Sequence, residues 1–140
     1  MARNVVMEDV VDNRVVTTLR AAGDQAGPIL GVPVRNQVSA TSYVAALSRR
    51  RALNAYNQSP APWQDERMRR LAPIATGRAD PAALGVLRAT GTTQVVVINE
   101  PHVYRPGRWR TVVHRLVASG RFRLVTTDGP FALLELTAQP

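Results

Sequence analysis

Apolar residues recur along this chain at two spacings, and the switches between them mark out its elements. From Glu8 to Ala22, the residues Val11, Val15, Val16 and Leu19 fall on one side of a helix. Gly23 follows at a natural stop. Gly27-Pro28 is a turn signal, and Ile29 to Val34 is a short apolar strand that contains Pro33. Proline has no ladder donor, so this strand is expected to end at Pro33 or to lie at a sheet edge there. Ser39 or Thr41 suits the start of the next helix, which carries Tyr43, Val44 and Leu47 and leads into Arg49-Arg50-Arg51. Ala52 to Tyr56 reads as a short extended piece, and Asn57 to Pro62 as a polar, proline-bearing loop. Asp65 to Leu71 is a brief helix, closed by Pro73 to Gly77.

The second half is patterned more sharply. Asp80-Pro81 places a capping residue before a proline at the first helical position, and Gly91 stops the helix that follows. Gln94 to Ile98 is a β-branched run of the kind that forms a buried central strand. After a loop from His102 to Arg108, the segment Trp109–Ala118 forms an amphipathic helix with Val112, Val113, Leu116 and Val117 inward, stopped by Gly120. Phe122 to Thr126, a turn at Asp128-Gly129, and Phe131 to Leu136 form a closing hairpin. The order predicts one α/β domain over residues 1–140: a small sheet with a central apolar strand and a C-terminal β-hairpin, flanked by about four helices. Residues 1–12 are expected to be a frayed N-terminal segment.

Composition narrows the function classes. The chain has 140 residues, 45% of them hydrophobic, which suffices for a packed core. Its longest apolar run is short, as in Val95 to Ile98, so nothing spans a bilayer, and Glu8, Asp9 and Asp12 interrupt any signal peptide. The absence of cysteine removes disulfides, thiolate catalysis and thiolate metal sites. The net charge is +8, and every one of the 18 basic residues is arginine. Their spread along the chain favours codon composition over a dedicated polyanion patch as the reason.

No arrangement of residues spells out an enzyme. The glycines stand singly at turns, so neither a phosphate-cradling loop nor a dinucleotide fingerprint is present. No serine sits in a nucleophile elbow. His102 and His114 lie in a loop and a helix, with no carboxylate at ligand spacing beside His114, and no cofactor or metal is expected. Glu100 and His102 follow the Gln94–Ile98 strand, where α/β proteins bind ligands, and are the candidate ligand or acid/base pair of a small enzyme. Arg105, Arg108, Trp109 and Arg110 mix cations with an aromatic ring, as does a single-stranded nucleic-acid surface. With Arg49, Arg50 and Arg51 they make up the alternative, an arginine-driven binder of nucleic acid or another polyanion.

Three stretches taken together resemble a known family. They are Gly27-Pro28-Ile29-Leu30-Gly31-Val32-Pro33-Val34, then Leu53-Asn54-Ala55-Tyr56, then Asp80 to Gly91 running into Thr92-Thr93-Gln94-Val95-Val96-Val97. With the hairpin around Asp128-Gly129, this order is similar to the soluble C-terminal domain of bacterial polytopic membrane proteins of the GT-C glycosyltransferase type. Ala55 stands where that family commonly has glycine, and Gln94 where tyrosine is usual. The family's catalytic carboxylates lie in membrane-segment loops that this chain does not contain, so the resemblance implies no catalytic residue. It implies instead an extracytoplasmic accessory domain, attached to a membrane-embedded parent protein and touching glycan or acceptor. Asn54, Tyr56 and Trp109 are then the candidate sugar contacts. A chain acting without such a parent is expected in the cytoplasm.

Overall fold

The computed structural model describes residues 13–33, 39–54, 62–100 and 103–138. Its helices are α1 (Arg14–Ala22), α2 (Ser39–Ser48), α3 (Pro62–Leu71), α4 (Pro81–Thr90) and α5 (Arg108–Ala118). The strands are β1 (Ile29–Val32), β2 (Gln94–Ile98), β3 (Phe122–Asp128) and β4 (Phe131–Leu136). They form one mixed sheet in the order β1-β2-β4-β3, with β1 parallel to β2 and the other pairs antiparallel. The α/β class, the central strand and the closing hairpin are thus as the sequence predicts.

The period-two geometry of a strand explains how so small a sheet supports two cores. In β2, Val95 and Val97 enter one core while Val96 and Ile98 enter the other. The first core lies under α3, α4 and α5, where Met68, Leu71, Leu84, Leu87, Val112 and Leu116 pack against Leu30, Val32 and Leu134. The second lies under α1 and α2, where Val15, Val16, Leu19 and Val44 meet Ile29, Phe131 and Leu133. Each fully buried aliphatic side chain contributes roughly 1.5–3 kcal/mol. β1 and β4 likewise feed both cores, with Leu30 and Leu134 in the first and Ile29 and Leu133 in the second, so the three strands hold the two helical layers to a common sheet.

Several boundaries differ from expectation, each for a physical reason. Helix α1 starts at Arg14, because Asn13 caps it through the Val15 amide at 2.8 Å; residues 8–12 lie outside the described residues. A second cap comes from the hairpin, where the Asp128 carboxylate accepts from the Arg14 amide at 2.7 Å. Strand β1, by contrast, behaves as Pro33 predicts: it lies at the sheet edge and ends at Val32, immediately before the proline. Helix α3 begins at Pro62 and not Asp65, with proline in the first helical position. Val117 is 37% exposed and does not face inward, since Trp109, Val112 and Leu116 already fill the buried stripe of α5. In the hairpin Asp128 still pairs with Phe131, so Gly129 and Pro130 form the turn, and the register shifts between Leu124 and Thr126.

Two glycines are required by close approach. Gly27 has φ +82, and a Cβ there would strike the carbonyl of Gly91, which ends α4. Gly31 sits in β1 with ordinary φ, but a Cβ would strike Thr41 of α2, whose own Cβ would be 2.8 Å away. Thr41 is 1% exposed and cannot swing into solvent. Gly31→Ala should therefore cost about 2 kcal/mol as an overpacking defect, read from urea unfolding. Adding Thr41→Ala should return part of that loss. Strictly additive losses in the double variant would show that the two residues do not compete for one space.

Candidate functional site

Parallel pairing defines one end of this sheet as the exit end. β1 and β2 run side by side, with Val32 opposite Val97. A third pass of chain runs the same way along the free side of β1: Ala52 bridges to Ile29 in parallel, Ile29 N donates to Arg51 O at 2.8 Å, and Leu53 N donates to Ile29 O at 2.9 Å. These three passes leave the sheet at Pro33, Asn54 and Glu100, which therefore share one end. Open α/β sheets bind ligands at this end, outside the carboxyl ends of parallel strands.

Asn54 reaches that end as a buried residue. It is 0% exposed, and its amide matches both backbone groups of Gly31. Asn54 Nδ2 donates to Gly31 O at 2.6 Å, and Gly31 N donates to Asn54 Oδ1 at 3.0 Å. The side-chain amide thus stands in for a peptide group and continues the ladder where the main chain turns away. Two of the stretches that carry the family resemblance are joined by this pair of bonds. Tyr56 lies outside the described residues.

Glu100 closes the β2 side of the same end and is half-buried. Its amide donates to Ile98 O at 2.8 Å, and its carbonyl accepts from Val103 N and Tyr104 N at 3.0 and 2.9 Å. Asn99 N is held by Pro130 O at 2.8 Å, so the hairpin turn also fixes the exit of β2. Tyr104 is 7% exposed and donates its hydroxyl to Ala75 O at 2.8 Å. Burial pushes the Tyr104 phenol well above its ordinary pKa, against the lowering effect of the Arg108 charge, so it remains a donor. His102 lies outside the described residues. Trp109, the remaining predicted contact, is 9% exposed and packs in the first core from the opening turn of α5.

The six candidate arginines do not form one surface but lie at opposite ends of the sheet. Arg105, Arg108 and Arg110 are exposed around the start of α5, at the exit end. Arg49 and Arg51 are exposed where β1 begins. Arg50 is withdrawn from both groups: it is 4% exposed and turned into the protein. Its Nη1 donates to Gln94 Oε1 at 2.6 Å and to Leu19 O at 3.1 Å. Its Nη2 and Nε both donate to Gly27 O, at 2.6 and 3.2 Å. Burial pushes the guanidinium pKa down, and the Asp24 carboxylate opposes that shift. One cation thus ties the end of α1, the approach to β1 and the start of β2. Among three consecutive arginines nothing local distinguishes it. The available signal is Gln94, a polar residue heading an apolar strand that needs a partner once buried.

Other features offer less. A cleft of about 280 Å³ between α3 and α4 is lined by Glu66, Arg67, Arg70, Val86, Ala89 and Thr90. Glu66 there pairs with Arg69 and Arg70 at 3.1 Å, exposed pairs worth little in water. Among the described residues no three carboxylate or imidazole groups come together. No helix among them is long and apolar enough to cross a membrane.

No family model matches this chain, and no curated protein matches it. A solved structure does. The crystal structure of the C-terminal globular domain of an oligosaccharyltransferase from Archaeoglobus fulgidus aligns with a TM-score of 0.53 at 11% identity, over 87% of this chain and 94% of that one. The sequence resemblance points to bacterial proteins, whereas this neighbour is archaeal. At that identity the likeness is one of fold: the chain is built like the C-terminal globular domain of an oligosaccharyltransferase.

Proposed function

We propose that this chain is a non-catalytic accessory domain of a membrane-embedded glycosyltransferase and lies outside the cytoplasm. Its working face is the exit end of the parallel strands, which Asn54 and Glu100 share and from which the chain continues to Tyr56 and His102. The observation that carries this reading is the fold likeness, which takes in nearly the whole of both chains. It is an argument by analogy of fold, and the surface itself supplies the chemistry. A half-buried glutamate at the exit of β2 suits hydrogen bonding to sugar hydroxyls or an acceptor peptide. Asn54 contributes by holding the end of β1 in place, because its amide is engaged with Gly31.

The test is an immunoblot of fractionated source cells with an antibody raised against the domain. A large band confined to the membrane fraction is the expected result. A soluble band near the 15.3 kDa of this chain would overturn the proposal.

A further inference from the structure

Arg49 is the one non-glycine residue with positive φ among the described residues, at 58°. It follows α2 in the position that closes a helix with a left-handed residue. Arg49 N donates to Ala46 O at 3.2 Å, and Arg50 N to Ala45 O at 2.9 Å, the paired bonds of that closing motif. Glycine takes this conformation without a Cβ clash, so an arginine here is the higher-energy choice. Strain kept at an exposed side chain points to a use for that side chain.

The surroundings show what the use is. Arg20, from the last turn of α1, lies over the end of α2, with Nη2 and Nε donating to Leu47 O at 2.7 and 3.0 Å. Arg51 is exposed one residue past Arg50, where its carbonyl anchors Ile29. Arg20, Arg49 and Arg51 are thus three exposed arginines around the C-terminal end of α2, and none forms an ion pair among the described residues. The Asp24 carboxylate acts on the buried Arg50. Exposed arginines grouped in this way suit phosphate oxygens.

We propose that this end of α2 is a docking surface for the phosphate headgroups of an anionic lipid bilayer. Each described aromatic ring, in Tyr104, Trp109, Phe122 and Phe131, is buried, which leaves the described surface without a platform for stacking nucleic-acid bases. Point cations at the end of a helical layer suit a flat anionic surface better than a strand. The choice of lipid over another polyanion rests on the membrane-associated reading above. A chain found in a large membrane-bound product that still ignores anionic vesicles would overturn this surface alone.

The experiment is co-sedimentation of the chain with phosphatidylcholine vesicles made with and without phosphatidylglycerol. The chain should bind the anionic vesicles, with affinity falling as salt rises, and should not bind the neutral ones. Arg49→Gly should weaken partitioning about fivefold, as expected for one basic residue near an anionic surface. The same variant should be at least as stable as the parent in urea, because glycine relieves the strain. Arg78→Ala, at an exposed arginine ahead of α4, should change binding less than twofold. Four results would overturn the proposal: no binding to the anionic vesicles, unchanged binding by Arg49→Gly, an equal loss in Arg78→Ala, or release from vesicles by a stoichiometric single-stranded oligonucleotide.

Discussion

Arg50→Ala is expected to lower the unfolding free energy by about 4 kcal/mol, a large part of what a domain of this size has. The substitution removes a guanidinium that is 4% exposed and satisfies Gly27 O, Leu19 O and Gln94 Oε1 together. Alanine leaves these acceptors in a site too enclosed for bulk water, and each unmet buried acceptor costs about 1–3 kcal/mol. Urea unfolding followed by circular dichroism reads the effect as a shift in midpoint. Arg51→Ala provides the contrast, since its exposed guanidinium should be worth no more than about 0.5 kcal/mol. Equal, small losses for the two variants would mean that Arg50 does not hold α1, β1 and β2 together in solution.

Asn54→Asp is the second large effect, and it should depend on pH. Asparagine both donates to Gly31 O and accepts from Gly31 N, whereas an ionised aspartate can only accept. At neutral pH the variant would place a carboxylate against a carbonyl in a site that is 0% exposed, at a cost of about 3 kcal/mol. A protonated aspartate has the donor that the site requires. Its folded-state pKa should therefore be raised above its unfolded value. The stability it restores is present below the unfolded pKa and is lost as pH rises through the folded one. Within that window the variant should lose up to about 1.4 kcal/mol per pH unit relative to the parent. A penalty independent of pH would show that the carboxylate has turned away from Gly31.

Much of the fold was legible because burial leaves a periodic trace. β2 could be placed as the central strand from Val95 to Ile98 alone, and the hairpin from its turn residues. α4 could be bounded by Pro81 and Gly91, although Asp80 makes no side-chain cap bond. Tertiary competition was not legible. Val117 continues the apolar pattern of α5 but loses its place because Trp109 fills the stripe from the other end. Arg50 lies between two solvated arginines, and its burial depends on where the chain crosses Gln94, far away in sequence. Asn54 and Glu100 are each readable as polar residues near strand ends. That they share one end follows from the parallel register, which no local pattern encodes. The caps on α1 from Asp128 and on α2 from Arg20 are likewise products of assembly.

The side-chain amide that imitates a peptide at Gly31 also gives the sheet a direction of growth. Along β1 the outer ladder is already occupied, first by Arg51 and Leu53 and then by Asn54. The other margin is β3, whose ladder partner among the described residues is β4 on its inner side. A sheet sealed at one margin can accept another strand only at the opposite one. Among the described residues the outer side of β3 is unpaired, so two copies that met through β3 would occupy each other's margin and present none to a third. Strand addition by this domain would therefore end at a pair, because Arg51, Leu53 and Asn54 together keep such a contact from propagating into a fibre.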